Sequence, residues 1–171
     1  GASMTWLLDT LTRHALHQPN VIALEDEQQQ LSYRTLLMAV DAMTARLKRK
    51  GATCLALHGD NSVAWVIADL AGQQAHCVVV PVPTFFSRQQ VDHLYRSAGV
   101  DVIYHADTDR LKTREAAAVV LPDACSKITF TSGSTGTPKG VCLSAQQLAA
   151  TAGLEHFTAI LADAILRRPE L

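Results

Sequence analysis

The sequence has no long apolar run, no paired cysteines and almost no net charge, and each absence narrows the possible functions. No run approaches the ~20 apolar residues that a membrane-spanning helix needs, so no membrane span is predicted. The formal net charge is −1, so no attraction to nucleic acid or to an acidic membrane surface is expected. No secretory signal is predicted from these residues. Residues 1–3 before Met4 are interpreted as an expression scar, and a cytoplasmic location is expected.

The cysteines lack any spacing that indicates a disulfide framework or a metal site. They are far apart and form no C-x-x-C pair: Cys54, Cys77, Cys125 and Cys142. We expect them to be small buried apolar residues in a reducing compartment, and we predict no metal-ligating residues, because no Cys/His spacing supports zinc. The apolar fraction of 48% excludes general disorder, and 171 residues are enough for one domain with a core.

Short apolar runs alternate with helical patterns along the chain. Strands are predicted at 54–58, 77–80, 100–104 and 128–131, and helices at 6–17, 32–50, 61–74 and 87–99. A small hairpin is predicted at 21–33. A capping box at 87–90 predicts the start of the helix at 87–99, and a second one at 144–147 predicts a further helix towards residue 168. Residues 107–126 give no clear pattern, with 116–121 as a candidate strand. The predicted fold class is therefore α/β, a largely parallel sheet flanked by helices with a small early β-hairpin.

Residues 131–140, with the sequence TSGSTGTPKG, contain five hydroxyl side chains, three glycines and one lysine directly after an apolar run. Backbone N–H groups, hydroxyls and an ammonium group in one loop suit a polyphosphate. The spaced glycines and the closing Pro-Lys-Gly favour this interpretation over a flexible linker. The loop is not a Walker A motif, because with Gly133 as the first position the sixth is Pro138 rather than glycine, and Gly140 follows the lysine. Since 141–143 is strand-like, the loop is predicted to join two strands.

Residues 130–140, read as FTSGSTGTPKG, resemble the phosphate-binding signature of the AMP-forming adenylating enzymes. That family includes acyl-CoA synthetases, luciferases and the adenylation domains of peptide synthetases. Residues 31–36, 59–65 and 81–103 also resemble family segments in the same order. The resemblance covers nearly the whole chain but only the first part of the family's architecture. It implies that residues 4–171 are the incomplete N-terminal portion of an AMP-binding domain.

The resemblance implies a reaction in which a carboxylic acid attacks the α-phosphate of ATP, giving an acyl-adenylate and pyrophosphate. A thiol, from CoA or a carrier protein, then takes the acyl group, and Mg²⁺ accompanies the phosphates. The residues implied to bind the nucleotide phosphates are Thr131, Ser132, Gly133, Ser134, Thr135, Gly136, Thr137 and Lys139. No catalytic residue is assigned, because the family's later motifs do not occur in these 171 residues. The chain alone is therefore expected to be inactive.

Several functional alternatives stay open at this level. The segment 82–87 favours a fatty or other acyl acid, so an acyl-CoA synthetase of fatty acid metabolism is the first hypothesis. A fatty acyl-AMP ligase and a peptide-synthetase adenylation domain are alternatives of the same class. A non-catalytic nucleotide-binding or interaction module is the alternative of a different class. Self-association is also expected, because an incomplete domain exposes apolar surface and a sheet edge.

Four further positions outside the loop are candidates of lower rank. His58 ends a strand where α/β sheets often bind ligands, but a packed or solvent-facing histidine is the stronger expectation. Residues 60–61 are expected to start a helix, and Trp65 is expected in core or interdomain packing. The aromatic pair at 85–86 either packs locally or is covered by another part of the enzyme.

Overall fold

The computed structural model describes residues 5–144, which form four helices and eight strands. In chain order these are α1 (Thr5–His17), β1 (Ile22–Glu25), β2 (Gln30–Ser32), α2 (Tyr33–Arg49), β3 (Cys54–His58), α3 (Val63–Gln74), β4 (Val78–Pro81), α4 (Arg88–Ala98), β5 (Val102–His105), β6 (Arg110–Thr113), β7 (Cys125–Thr131) and β8 (Lys139–Ser144). The residues interpreted as an expression scar, 1–3, and the helix predicted from 144–147 towards residue 168 lie outside the described residues.

Six of these strands form one sheet in the order β6-β5-β3-β4-β7-β8. The four central strands are parallel, and each edge strand is antiparallel to its neighbour. Strands β1 and β2 form a separate antiparallel pair. The predicted fold, a largely parallel sheet with helices and an early hairpin, is confirmed.

Three of the helices begin where a serine precedes the helical pattern. The Ser32 and Ser62 hydroxyls each accept a hydrogen bond, of 3.2 Å, from the backbone N–H three residues ahead. Ser87 does the same at α4, and the side chain of Gln90 accepts in return from the Ser87 N–H at 2.8 Å. This is the predicted capping box, which satisfies N–H groups that have no partner within the helix.

The side chains of β3 alternate between two cores, one on each face of the sheet. Leu55 and Leu57 pack with α1, α2 and α3 on one face, whereas Ala56 packs with α4 on the other. Both clusters are built from side chains with little or no exposure, such as Leu70 and Leu94. Burial of a leucine contributes about 1.5–3 kcal/mol, so the helices are held mainly by this two-sided packing.

For residues 107–126, one expectation was wrong and one strand was not predicted. The candidate strand at 116–121 is absent; this stretch is largely exposed, and Val120 is 98% exposed. Strand β6 at Arg110–Thr113 lies just before it and was not predicted. As an edge strand it pairs only with β5, and Leu111 is its one side chain packed against a core. A four-residue strand with one buried side chain gives no detectable apolar period.

The four cysteines are free thiols, two of them buried and two half-buried. Burial raises the pKa of the Cys54 thiol to about 12 and that of Cys77 to about 11. The expectation of small buried residues is confirmed for these two. None of the helices between residues 5 and 144 is long and apolar enough to cross a bilayer.

Candidate functional site

A crevice lies at the carboxyl ends of the parallel strands β3, β4 and β7. The chain leaves β3 for α3 on one face and leaves β4 for α4 on the other. Neighbouring strands whose connections part to opposite faces leave a gap between their ends, and open α/β sheets bind ligands there. A cavity of about 320 Å³ occupies this gap, and Trp65, Phe85, Phe130, Asp60 and Asn61 are among its lining residues.

The loop 132–138 follows directly from the strand that borders this crevice. Strands β7 and β8 pair antiparallel, with Thr131 opposite Lys139 at the mouth of the loop. The prediction of a strand-to-strand loop is therefore confirmed. Gly133 and Gly136 have φ values of 64° and 79°, a conformation that costs other residues about 1–2 kcal/mol. A Cβ on Gly133 would also lie 3.1 Å from the Thr137 carbonyl oxygen.

The eight residues predicted to bind phosphate lie together in this loop and at its two strand ends. Seven of them are exposed, and Ser132 is half-buried. Only Pro138 between them is buried. The hydroxyls, the backbone and the Lys139 ammonium are therefore accessible to a ligand. Their binding of phosphate stays a prediction.

Helix α4 holds this loop from the side. The Gln90 Nε2 donates to the carbonyl oxygen of Gly136 at 3.4 Å, and the His93 Nε2 donates to the carbonyl oxygen of Pro138 at 3.0 Å. Sequence reasoning identified Gln90 only as a capping residue and missed His93. The only signal in the sequence is that these two side chains stand three positions apart, and so on one face of a predicted helix.

His58 lies at the end of β3 in a cluster of aromatic side chains. Its Nε2 is 2.5 Å from the Tyr95 hydroxyl, and its ring stacks on His105 with centroids 4.7 Å apart. Burial, and then the neighbouring His105, lowers the pKa of His58 to about 4. The imidazole is therefore neutral at pH 7. It is packed against Tyr95 and His105, in agreement with the expectation of a packed or solvent-facing histidine.

The other candidates near the crevice take structural positions. Helix α3 starts with Ser62 as its N-cap, one residue after Asn61. Trp65 is 5% exposed and belongs to the core. The two phenylalanines differ. Phe86 packs locally, half-buried against the α4 core, whereas Phe85 is 75% exposed. Phe85 is thus an aromatic side chain available at the rim of the crevice.

The loop offers donors suited to the oxygens of a polyphosphate, but the described residues offer no comparable set for a metal ion. Between residues 5 and 144, no three His, Cys, Asp or Glu side chains come together as potential ligands. The exposed side chains of the loop offer hydroxyl hydrogen-bond donors and one positive charge.

The family model for AMP-binding enzymes matches residues 11–126 and 108–166 of this chain. These two matches together span most of the sequence, including the loop and the crevice.

Individual relatives resemble the chain over only part of their own length. The anguibactin system regulator of Vibrio anguillarum is 26% identical over 167 residues, covering 80% of this chain and 16% of the relative. The D-alanine–D-alanyl carrier protein ligase of Bacillus licheniformis is 24% identical, covering 83% of this chain and 33% of the relative. The solved structure of o-succinylbenzoate CoA synthetase from Bacillus subtilis, in complex with an acyl-adenylate intermediate, has a TM-score of 0.67 at 19% identity. It covers 92% of this chain and 53% of that chain, and the likeness concerns the fold.

Proposed function

This chain belongs to the family of AMP-binding enzymes, and we propose that it is the N-terminal portion of an adenylate-forming ligase. The reaction joins a carboxylic acid to the α-phosphate of ATP, which gives an acyl-adenylate and releases pyrophosphate. The observation that carries the proposal is the exposed glycine and hydroxyl loop at 132–138, set between two strands beside the crevice.

The loop contributes by stabilising negative charge on the β- and γ-phosphates. Pyrophosphate leaves as these phosphates gain charge, so fixed N–H and hydroxyl donors favour the transition state. Gly133 and Gly136 give the backbone the left-handed turns that a close approach needs. Ser134 and Thr135 offer exposed hydroxyls, and Lys139 offers a positive charge.

ATP, with magnesium as its companion ion in solution, is the nucleotide that we assign to this site, because the loop's donors suit a polyphosphate. Bound magnesium supplies charge neutralisation on the phosphates. The chain's own contribution in this region is the loop, whose hydroxyls and lysine are exposed. The loop binds and orients the phosphates.

The acid and the acceptor thiol define the finer function. The aromatic and proline-rich rim of the crevice, with exposed Phe85, suits the apolar body of an organic acid. A carrier-protein thiol is the acceptor supported by the name of the D-alanyl carrier protein ligase, and CoA is the alternative. An amino acid substrate of a peptide-synthetase type and a fatty acid substrate both remain candidates under this proposal.

Exchange of labelled pyrophosphate into ATP by the full protein tests the proposal. The expected result is exchange that requires a carboxylic acid, with a panel of amino, aryl and fatty acids identifying which one. Binding of MgATP without exchange for any acid would favour the non-catalytic nucleotide-binding module. Absence of MgATP binding at millimolar concentration would remove both functions.

A further inference from the structure

Helix α4 contacts the loop at two successive points, and both contacts are made to backbone carbonyl groups. Gln90 donates to Gly136 and His93 donates to Pro138. The two side chains are half-buried and stand on one face of α4, one turn apart. The two accepting carbonyl groups belong to the residues on either side of Thr137. The part of the loop that leads into β8 is therefore hydrogen-bonded to a helix that is packed against the hydrophobic core.

The contact from Gln90 determines the direction of one N–H group in the loop, that of Thr137. No peptide bond in the described part of the chain is cis, and in a trans peptide the C=O and the following N–H point in opposite directions. The Gly136 carbonyl is turned towards α4. The N–H of Thr137 therefore points away from the side chain of Gln90 on α4.

We propose that Gln90 and His93 are positioning residues, which hold the loop in its phosphate-binding conformation before the nucleotide arrives. The inference rests on the proposed function. Exposed glycines give a loop many conformations, and a ligand that must first order the loop binds more weakly. The two hydrogen bonds from α4 restrict those conformations in the free protein. Affinity for the β- and γ-phosphates then depends on residues that touch neither phosphate.

Gln90 allows the helix cap and the loop contact to be separated. Its Oε1 accepts from the Ser87 N–H at 2.8 Å, whereas its Nε2 donates to the loop. Gln90→Glu keeps the oxygen for the capping box, in which glutamate is a standard residue, and removes the donor. Ser87→Ala is the matched control, since it weakens the cap and leaves the Gln90 amide in place.

His93 allows the hydrogen bond to be separated from packing. His93→Leu retains a side chain that can pack beside Pro138 and removes the hydrogen-bond donor. His93→Gln restores an N–H donor at a position close to that of Nε2. Arg96→Ala changes an exposed residue one turn further along the same helix and serves as the control for general effects on α4.

The test compares the affinities of the full protein for MgATP and for AMP, measured by calorimetry. His93→Leu and Gln90→Glu should each weaken MgATP binding about 3- to 10-fold, the effect of one lost hydrogen bond. AMP lacks the β- and γ-phosphates, so its affinity should stay within about 2-fold, which a merely structural role would not produce. His93→Gln should recover most of the loss, and KM for ATP should rise while KM for the acid changes little.

Each outcome decides between the two proposals. If wild-type protein binds MgATP but His93→Leu and Gln90→Glu bind it equally well, the positioning role is wrong and the proposed function stands. An equal loss for MgATP and AMP would also overturn it, because the defect would then be global. If wild-type protein does not bind MgATP, the proposed function itself fails. Should His93→Leu not fold, Gln90→Glu decides, with Ser87→Ala as its control.

Discussion

The ammonium nitrogen of Lys127 lies 3.0 Å from a carboxylate oxygen of Asp69, and the two side chains are 1% and 0% exposed. Asp69 belongs to α3, and Lys127 belongs to β7, the strand that leads into the loop 132–138. The Gln73 Nε2 donates to the same carboxylate at 3.1 Å. A buried ion pair thus joins the helix of one core to the strand that carries the candidate site.

Removing one member of this pair should destabilise the protein strongly. Asp69→Ala leaves a buried ammonium group without its counter-ion, and such changes cost about 3–5 kcal/mol. The double variant Asp69→Leu with Lys127→Met removes both charges and should recover most of that loss. Urea denaturation of the wild type, the single variant and the double variant measures this. A single variant that loses less than about 1 kcal/mol would show that the pair is not desolvated.

The glycines of the loop should be required for binding more than for folding. Gly136 and Gly51 both have a left-handed φ, and a Cβ at either would meet no atom within 4 Å. Alanine at each should therefore cost a similar ~1 kcal/mol of stability from backbone strain. Only Gly136→Ala should also weaken MgATP binding, because Gly51 follows α2, away from the loop.

Gly133→Ala should be more damaging than Gly136→Ala. It adds a contact of 3.1 Å with the Thr137 carbonyl oxygen to the same backbone strain. Thermal denaturation ranks the three variants, and calorimetry with MgATP ranks their binding. Equal binding by the Gly51 and Gly136 variants would argue against the loop as the phosphate site.

His58 should make the protein less stable in mild acid. Its pKa is lowered to about 4 in the folded protein, whereas an unfolded histidine titrates near 6.5. The unfolded state therefore binds the proton first, and stability falls as the pH drops from about 6.5 to 4. Because the side chain is partly accessible, we expect a loss of about 1–2 kcal/mol.

The control for this effect is a variant that cannot titrate. His58→Gln should have a flatter stability profile between pH 6.5 and 4 than the wild type. The carboxyls with lowered pKa, Asp26 and Asp109, also begin to lose their contribution towards the acid end of this window, but they do so in both proteins, so the difference between the two slopes reports on His58. Urea denaturation at several pH values measures the slope. Identical slopes for both proteins would show that protonation of His58 does not lower the free energy of unfolding.

Features set by neighbouring residues in the chain were predictable from the sequence. Ser32 and Ser62 cap their helices through the N–H three residues ahead, which is a local contact. Central strands such as β3 are continuous apolar runs because both of their faces are covered. The loop was recognisable because its chemistry lies in consecutive residues.

Features that depend on distant residues were not predictable. Lys127 is an ordinary charged residue in the sequence, and only the fold brings Asp69 to it across 58 positions. His93 contacts the loop across 45 positions. Strand β6 exists because β5 offers an edge to pair with, and its own sequence gives little apolar signal. No local pattern reports which partner a polar side chain will have after folding.

Lys139 should contribute to phosphate affinity through its charge. It is exposed and stands opposite Thr131 where the loop joins the two strands. A hydrogen bond to a charged group contributes about 1.5–3 kcal/mol, so Lys139→Ala should weaken MgATP binding by about 10-fold or more. Lys139→Arg should restore part of the affinity. Lys112 is an exposed lysine on β6, and Lys112→Ala should have no effect.

Because the interaction of Lys139 with the phosphates is ionic, raising the salt concentration should reduce the difference in MgATP affinity between wild type and Lys139→Ala. AMP affinity should change little; an equal loss for AMP and MgATP would mean that Lys139 supports the fold rather than binding the terminal phosphates.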